Sequence, residues 1–398
     1  SGYCPSEKEM FENFFDQVKL ADTLGYGCAW IAESHLSTEV QKNNLNPVVP
    51  HFKGEIGLNV DVLQLAHRVF ACTKHIEVGS AIMNILCNGG PIAAAERIAA
   101  FLALHGLTET ESRRLQIGFA AGRFEFMNRA YGIVPRDSVE EAAWPVVKGL
   151  IFREAAHIFL HLLQGKSLSS EDIVPSILNK GMFRSEEDWQ RVKEAYVISG
   201  GDDRAVEITL NPRFVFEELK IIPKDWRRDL LDLVVGSHDP SLQAELNQIM
   251  PVKIFNLSIT SPELIEDTHH RMQKDFHESA GPWKRSYMPR TVMVFLNDEI
   301  GLSEEEKEAA ARNEAYEALG EYWKALEGTL DPSKVEGATE NALLGSPSQI
   351  ASQILKRYDV EDRLMLWFDF YNHDNERVMR NMCAFAEKVI PLVNNGSR

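Results

Sequence analysis

Cysteine is scarce. Five stand among 398 residues: Cys4, Cys28, Cys72, Cys87 and Cys383. The number is odd and no pair has C-x-x-C spacing. That argues against a disulfide framework or a cysteine-type zinc site, and reads as a reduced, cytoplasmic protein. Cys28 and Cys72 lie inside apolar patterns, as small buried hydrophobes do. Long apolar runs are also missing. Stretches such as Arg290–Leu296 and Leu364–Phe368 fall far short of the ~20 residues a membrane span needs. No basic-then-apolar leader opens the sequence, so no secretion signal is expected. Positive charge is in deficit, with 42 Lys+Arg against 59 Asp+Glu and a net charge of −17. Such a surface repels nucleic acid and anionic membranes, and leaves room only for a local basic pocket. A Walker-type loop, a G-x-G-x-x-G turn and a G-x-S-x-G elbow are all absent. Nucleotide hydrolysis, tight dinucleotide binding and serine-hydrolase chemistry therefore have no motif here.

What is present is ordinary globular composition, 44% hydrophobic and 25% charged, arranged as alternating helix and strand. Apolar residues recur at helical spacing over Glu7–Leu24, Val60–Thr73, Pro91–His105, Ser138–Gly165, Pro240–Ile249, Pro262–Ser279, Ser303–Leu326, Pro347–Tyr358 and Glu376–Val393. Between them lie short runs rich in Val, Ile and Leu near 28, 76, 115, 230, 252, 291 and 363. Strand-helix alternation of this kind predicts parallel pairing through crossovers. A closed (β/α)8 barrel needs eight strands, and seven are visible. The expectation is an α/β chain, one (β/α)8 barrel domain over 1–398, whose first strand is apparently absent from this sequence. A doubly wound open sheet is the alternative, although the glycine-rich turn it usually carries is not seen. Residues 166–228 break the rhythm and read as an insertion over the active-site face.

In a parallel barrel the chemistry lies at the C-terminal ends of the strands. That selects Glu33-Ser34-His35, Ser80 to Asn84, Gly118 to Arg123, Gly236 to Ser241 and Trp367 to Asp369. His35 beside Glu33 is a candidate proton-transfer pair. Gly236-Ser237-His238-Asp239-Pro240-Ser241 runs straight into a helix and is a candidate phosphate seat. Gly122-Arg123 joins backbone access to a guanidinium. Each of the last two has a plainer reading, a helix cap and a surface ion pair. His157 and His161 share one helical face, with no catalytic Glu between them, and read as packing rather than metal ligands. His269-His270 reads as a solvated pair on an amphipathic helix. No metal site is expected.

Five stretches together resemble the bacterial-luciferase-like flavin monooxygenases. They are Leu24 to His35 (LGYGCAWIAESH), Ile76 to Ala81 (IEVGSA), Arg114 to Gly118 (RLQIG) running on to Tyr131-Gly132, Gly345 to Ala351 (GSPSQIA), and Phe385 to Pro391 (FAEKVIP). They span nearly the whole chain in the family's order, apart from 166–228. The resemblance implies a luciferase-like TIM barrel that binds reduced FMN, supplied by a separate flavin reductase, and oxidises a small apolar organic substrate with oxygen. A deazaflavin-dependent branch transfers hydride instead, and a non-catalytic flavin-binding protein is a third reading. A homodimer is implied as well. By position, Ser80, Ala81 and Ile82 would lie along the flavin ring, where the family often carries a non-proline cis peptide. Ala120, Gly122, Arg123, Gly236, Ser237, His238 and Ser241 would complete the cofactor site, and His35, Glu33 and Ser34 the catalytic one. Three departures stand out. The luciferases' catalytic histidine maps onto Ser34, their reactive cysteine onto Ala120 and their phosphate arginine onto Ala121. Luciferase-type aldehyde chemistry is therefore not expected.

Overall fold

The computed structural model describes residues 5–36, 57–122, 124–327, 332–368 and 374–396. Ten strands follow in chain order: β1 Cys28–Ile31, β2 Glu77–Asn84, β3 Leu115–Ala120, β4 Ile177–Asn179, β5 Glu207–Thr209, β6 Leu231–Val235, β7 Lys253–Ile254, β8 Arg290–Leu296, β9 Leu343–Gly345 and β10 Leu364–Trp367. Seven form the wall. β1, β2, β3, β6 and β7 pair in that order, all parallel. A bridge from Asn256 to Arg290 continues the wall to β8, which pairs in parallel with β10. These are the seven strands expected from the sequence. The fifth of these runs, Val252–Ile259, shrinks to the two paired residues of β7.

β3 shows why the wall strands read as continuous apolar runs. Five of its six residues are buried, because helices cover one face and the barrel interior the other. Helix Trp144–Leu163 supplies much of the cover, burying Phe152, Ile158, Phe159 and Leu162 among others. The predicted helix Ser138–Gly165 is in fact two, Ser138–Ala142 and Trp144–Leu163. Pro145 cannot donate to the carbonyl of residue 141, so the helix breaks and restarts with Pro145 in its first turn. The last predicted helix, Glu376–Val393, is continuous through a π-helical turn at Phe385–Val389.

Among the described strands, β1 pairs only with β2 and β10 only with β8. The wall is thus unpaired between β1 and β10, where an eighth strand would stand. The outer ring of helices still closes there. Gln17 Nε2 donates to Asn375 Oδ1 at 2.9 Å, and Tyr26 OH donates to the Met382 carbonyl at 2.9 Å.

Residues 166–228 form the segment read as an insertion. They leave the end of helix Trp144–Leu163 and return to the start of β6. Both points lie at the N-terminal ends of the strands, opposite the mouth. The segment holds the antiparallel pair β4–β5 and helix Glu186–Ile198. It packs on the outer flank: the Arg213 and Phe214 amides donate to Glu154, and Arg213 pairs with buried Glu140 at 2.7 Å. No described residue of the segment lines the mouth cavity. The topology fits these contacts, since a connection from helix to strand starts on the face away from the mouth. Leu178, Trp189, Val192 and Ile208 belong to the same continuous core as the barrel's Ile117 and Phe159.

Candidate active site

A cavity of about 1600 Å³ runs from the strand tips through the barrel interior and out past the unpaired side of β1 to Phe14, Val18 and Met382. Its floor at the strand tips is a shelf of Ile82, Ala120 and Gly236. A Cβ on Gly236 would fall 2.6 Å from Ile82 Cδ1 and 3.3 Å from Ala120 Cβ. Only glycine lets the β6 tip lie this close to Ile82, and the surface left is flat and apolar. The Ala81–Ile82 peptide is cis, at the place the resemblance implies. Ala81, Ile82 and Trp30 pack on Phe255, Val234 and Met365 inside the barrel. Ser80 is different: it is fully buried, its hydroxyl has no partner, and it does not line the cavity. Strand alternation turns it to the other face from Ala81.

The β1 tip carries the proton-transfer candidates. His35 is 4% exposed, and its Nε2 stands 3.1 Å from Glu33 Oε1. Glu33 lines the cavity, and its other oxygen accepts from the Val62 amide at 3.3 Å. The carboxylate is thereby held at both oxygens and orients the imidazole. The His35 ring meets Tyr131 edge-on, with centroids 6.4 Å apart. Ser34 faces away from this pair. Its hydroxyl donates to the Gly57 carbonyl at 3.1 Å, and its amide to the Asn59 carbonyl.

The loop after β6 is a capped helix start. Asp239 accepts from the Ser241 amide at 2.9 Å, the Leu242 amide at 3.3 Å and the Ser241 hydroxyl at 3.0 Å. Burial opposes its ionisation. The Leu242 and Ser241 amides, the Ser241 hydroxyl and Arg153 outweigh that and hold its pKa below the usual range. Arg153 donates to Asp239 at 3.0 Å and to Ser241 Oγ at 2.8 Å, and pairs with Glu245. Ser237 lines the cavity, and its hydroxyl accepts from the Asp239 amide. His238 Nε2 lies 3.4 Å from Thr260 Oγ1, its Nδ1 has no partner, and burial lowers its pKa, which keeps it neutral. The candidate anion seat thus already holds an anion, Asp239, and the cation over it is Arg153. Sequence reading missed Arg153 because it sits mid-helix, far along the chain from the loop. Its one visible trace is the i,i+4 spacing with His157. Gly122 lines the cavity, whereas Arg123 lies outside the described residues. Among the described residues no cluster of three metal-ligating side chains occurs, and no helix is long and apolar enough to cross a membrane.

No protein-family model and no curated protein sequence matches the chain. Solved structures do. The monooxygenase RslO1 from Streptomyces bottropensis superposes with a TM-score of 0.63 at 14% identity, over 97% of this chain and 94% of that one. The oxygenating constituent of 3,6-diketocamphane monooxygenase from Pseudomonas putida, solved with FMN, gives 0.55 at 14%, over 97% and 94%. An F420-dependent secondary alcohol dehydrogenase, solved with an F420-acetone adduct, gives 0.53 at 14%, over 96% and 94%. At this identity the likeness establishes a shared fold, the luciferase-like α/β barrel.

Proposed function

We propose that the chain is a luciferase-like flavin-dependent oxidoreductase, a monooxygenase that uses reduced FMN and oxygen on a small apolar substrate. The observation that carries this reading is the Ile82–Ala120–Gly236 shelf, which opens onto the barrel cavity at the strand tips. A flat ring fits where Gly236 lacks a side chain, and the cavity continues past the shelf among Trp30, Phe255 and Met293, where a small apolar molecule can sit. The FMN-bound and F420-bound structures of the same fold support the choice of ligand class. Reduced flavin, when bound, supplies the two electrons for oxygen activation.

The chain's own residues divide the remaining work. Ala81, Ile82, Ala120, Gly122 and Gly236 hold the ring's edge and face. Ser237, Ser241 and Arg153 hold the phosphate, with Asp239 giving way to it, and Arg123 and His238 complete that end. Trp30, Met293 and Trp367 keep water from the cavity and receive the apolar substrate. His35, held by Glu33, moves a proton at Nε2 or Nδ1 during turnover. A separate flavin reductase delivers the reduced cofactor, and the barrel works as a homodimer.

The test is an anaerobic titration with FMN, reduced FMN and a deazaflavin, followed by oxygen. Binding of reduced FMN, with oxygen consumed after admission, is the expected result. Preference for the deazaflavin with no oxygen uptake replaces the reading by a hydride-transfer dehydrogenase. Binding without turnover by any reductant makes it a flavin carrier, and no binding at all overturns the flavin reading.

A further inference from the structure

At the rim of the cavity, which Asn84 helps to line, is a buried polar chain that none of the above uses. Asn84 ends β2 and Asn128 lies on helix Glu125–Ala130; they are 7% and 9% exposed. Asn84 Oδ1 accepts from the Leu86 amide at 3.0 Å, which fixes which way its side chain faces. Its Nδ2 then donates to Asn128 Oδ1 at 2.8 Å. Asn128 Nδ2 in turn donates to the Ala121 carbonyl at 2.9 Å. Donor and acceptor alternate without a conflict from Leu86 to Ala121, so each bond polarises the next.

The chain ends on a turn that lines the cavity. Ala121 and Gly122 both face it. Gly122 has φ +76°, and a Cβ there would fall 2.1 Å from Asn84 Nδ2. Asn84 therefore touches the turn twice, directly at Gly122 and through Asn128 at Ala121. Cys87 joins from the side. Asn84 Nδ2 approaches its sulfur at 3.0 Å, and the thiol donates to Asn128 Oδ1 at 3.3 Å. Burial, together with Glu33, pushes this thiol up to about 12, so it stays a donor and does not become an anion behind the site.

We propose that Asn84 and Asn128 are positioning residues that preform the Ala121–Gly122 turn as a binding edge of the cavity. A ligand docking on the strand tips then meets a rigid edge and does not have to order it. The proposal rests on the flavin reading for the ligand's identity, but not for the state of the ligand-free turn.

Asn128→Asp is nearly isosteric, cannot donate to the Ala121 carbonyl, and sets a carboxylate against it. In the ligand-free protein we expect the NMR backbone order parameters at 121–122 to fall into the flexible range, with those of β6 unchanged. FMN affinity should fall about tenfold. Gly122→Ala, which displaces Asn84, should give the same pair of effects. Cys87→Ala removes the thiol but keeps the amide chain, and should match the parent within about twofold. Unchanged order parameters at 121–122 in Asn128→Asp overturn the proposal. Lower order with unchanged FMN affinity overturns the positioning role. Cys87→Ala behaving like Asn128→Asp transfers the role to the thiol. A parent that binds no FMN fails the flavin reading and the ligand half of this one, while the order parameters still decide whether the asparagines hold the turn.

Discussion

Glu33 and Asp239 are both carboxylates at strand tips, and their partners give them different work. Glu33 spends one oxygen on the Val62 amide and the other on His35, so the carboxylate lines the cavity and holds a buried imidazole beside it. Asp239 spends its oxygens on the amides of its own helix and on Arg153. The first pair was legible from Glu33-Ser34-His35 alone, since two residues apart on an extended tip is within reach. The role of Asp239 was not, because the loop's composition suits a bound phosphate as well as a self-cap. In the flavin-loaded protein, His35→Gln should lower turnover ~10²–10⁴-fold while leaving FMN affinity near the parent value. Equal turnover in a stopped assay would remove His35 from the chemistry. A third carboxylate bears on acid stability. Arg113 bonds the Glu111 side chain and, against burial, holds its pKa down to about 2. Because the folded pKa is depressed, the stabilisation is present above the unfolded value of ~4.3 and is lost as pH falls toward about 2. Glu111→Gln should therefore lower Tm near neutral pH, with the gap to the parent closing at acid pH. A gap independent of pH would refute this.

At the scale of elements, local signals worked where they are mechanistic. Pro at a helix start marked Pro240, Pro262 and Pro347, and each does open a helix. Ser303 and Glu306 cap the helix that follows by reciprocal bonds between side chains and amides, a spacing of three that the sequence carries. Pro145 was in view as well, but the strong apolar period across Ser138–Gly165 hid the break it causes. β4, β5 and β9 have three residues each, too few for period-two alternation to stand out. Their pairing comes from partners distant in sequence. The Asp239 cap gives an element-scale test. Asp239→Ala should cost ~1 kcal/mol of stability, and Asp239→Asn much less, because asparagine caps a helix as well as aspartate does. Urea unfolding of the two variants checks the ranking. Equal losses would mean that the charge toward Arg153, and not the cap, is what stabilises the loop.

At the scale of the molecule, one apolar core runs from the barrel wall into residues 166–228. Trp189, 5% exposed, lies in the part supplied by the flanking segment. A shared core predicts a single cooperative unfolding transition. Trp189→Ala should lower the stability of the whole by ~3–5 kcal/mol. Two calorimetric peaks, with only one moved by the substitution, would show instead that the segment is a separate unit. The wall's unpaired stretch between β1 and β10 lies at the other side of the same barrel, bridged on the outside by Gln17–Asn375 and Tyr26–Met382.

By itself the sequence determined the fold class and the order of the seven wall strands. Apolar runs buried on both faces and amphipathic helices between them have few parallel solutions. It also determined which strand tips carry polar residues, because chain direction alone assigns those ends to the mouth. The tertiary structure decided everything that depends on where distant residues meet. It placed Arg153 over Ser241, set Gly236 against Ile82, turned Ser80 away from Ala81, and joined Asn84 to Ala121 through Asn128. It set Arg213 and Phe214 of 166–228 against Glu154 and Glu140. These are contacts between elements far apart in the chain, and periodicity reports only which face of an element is buried, not which partner buries it.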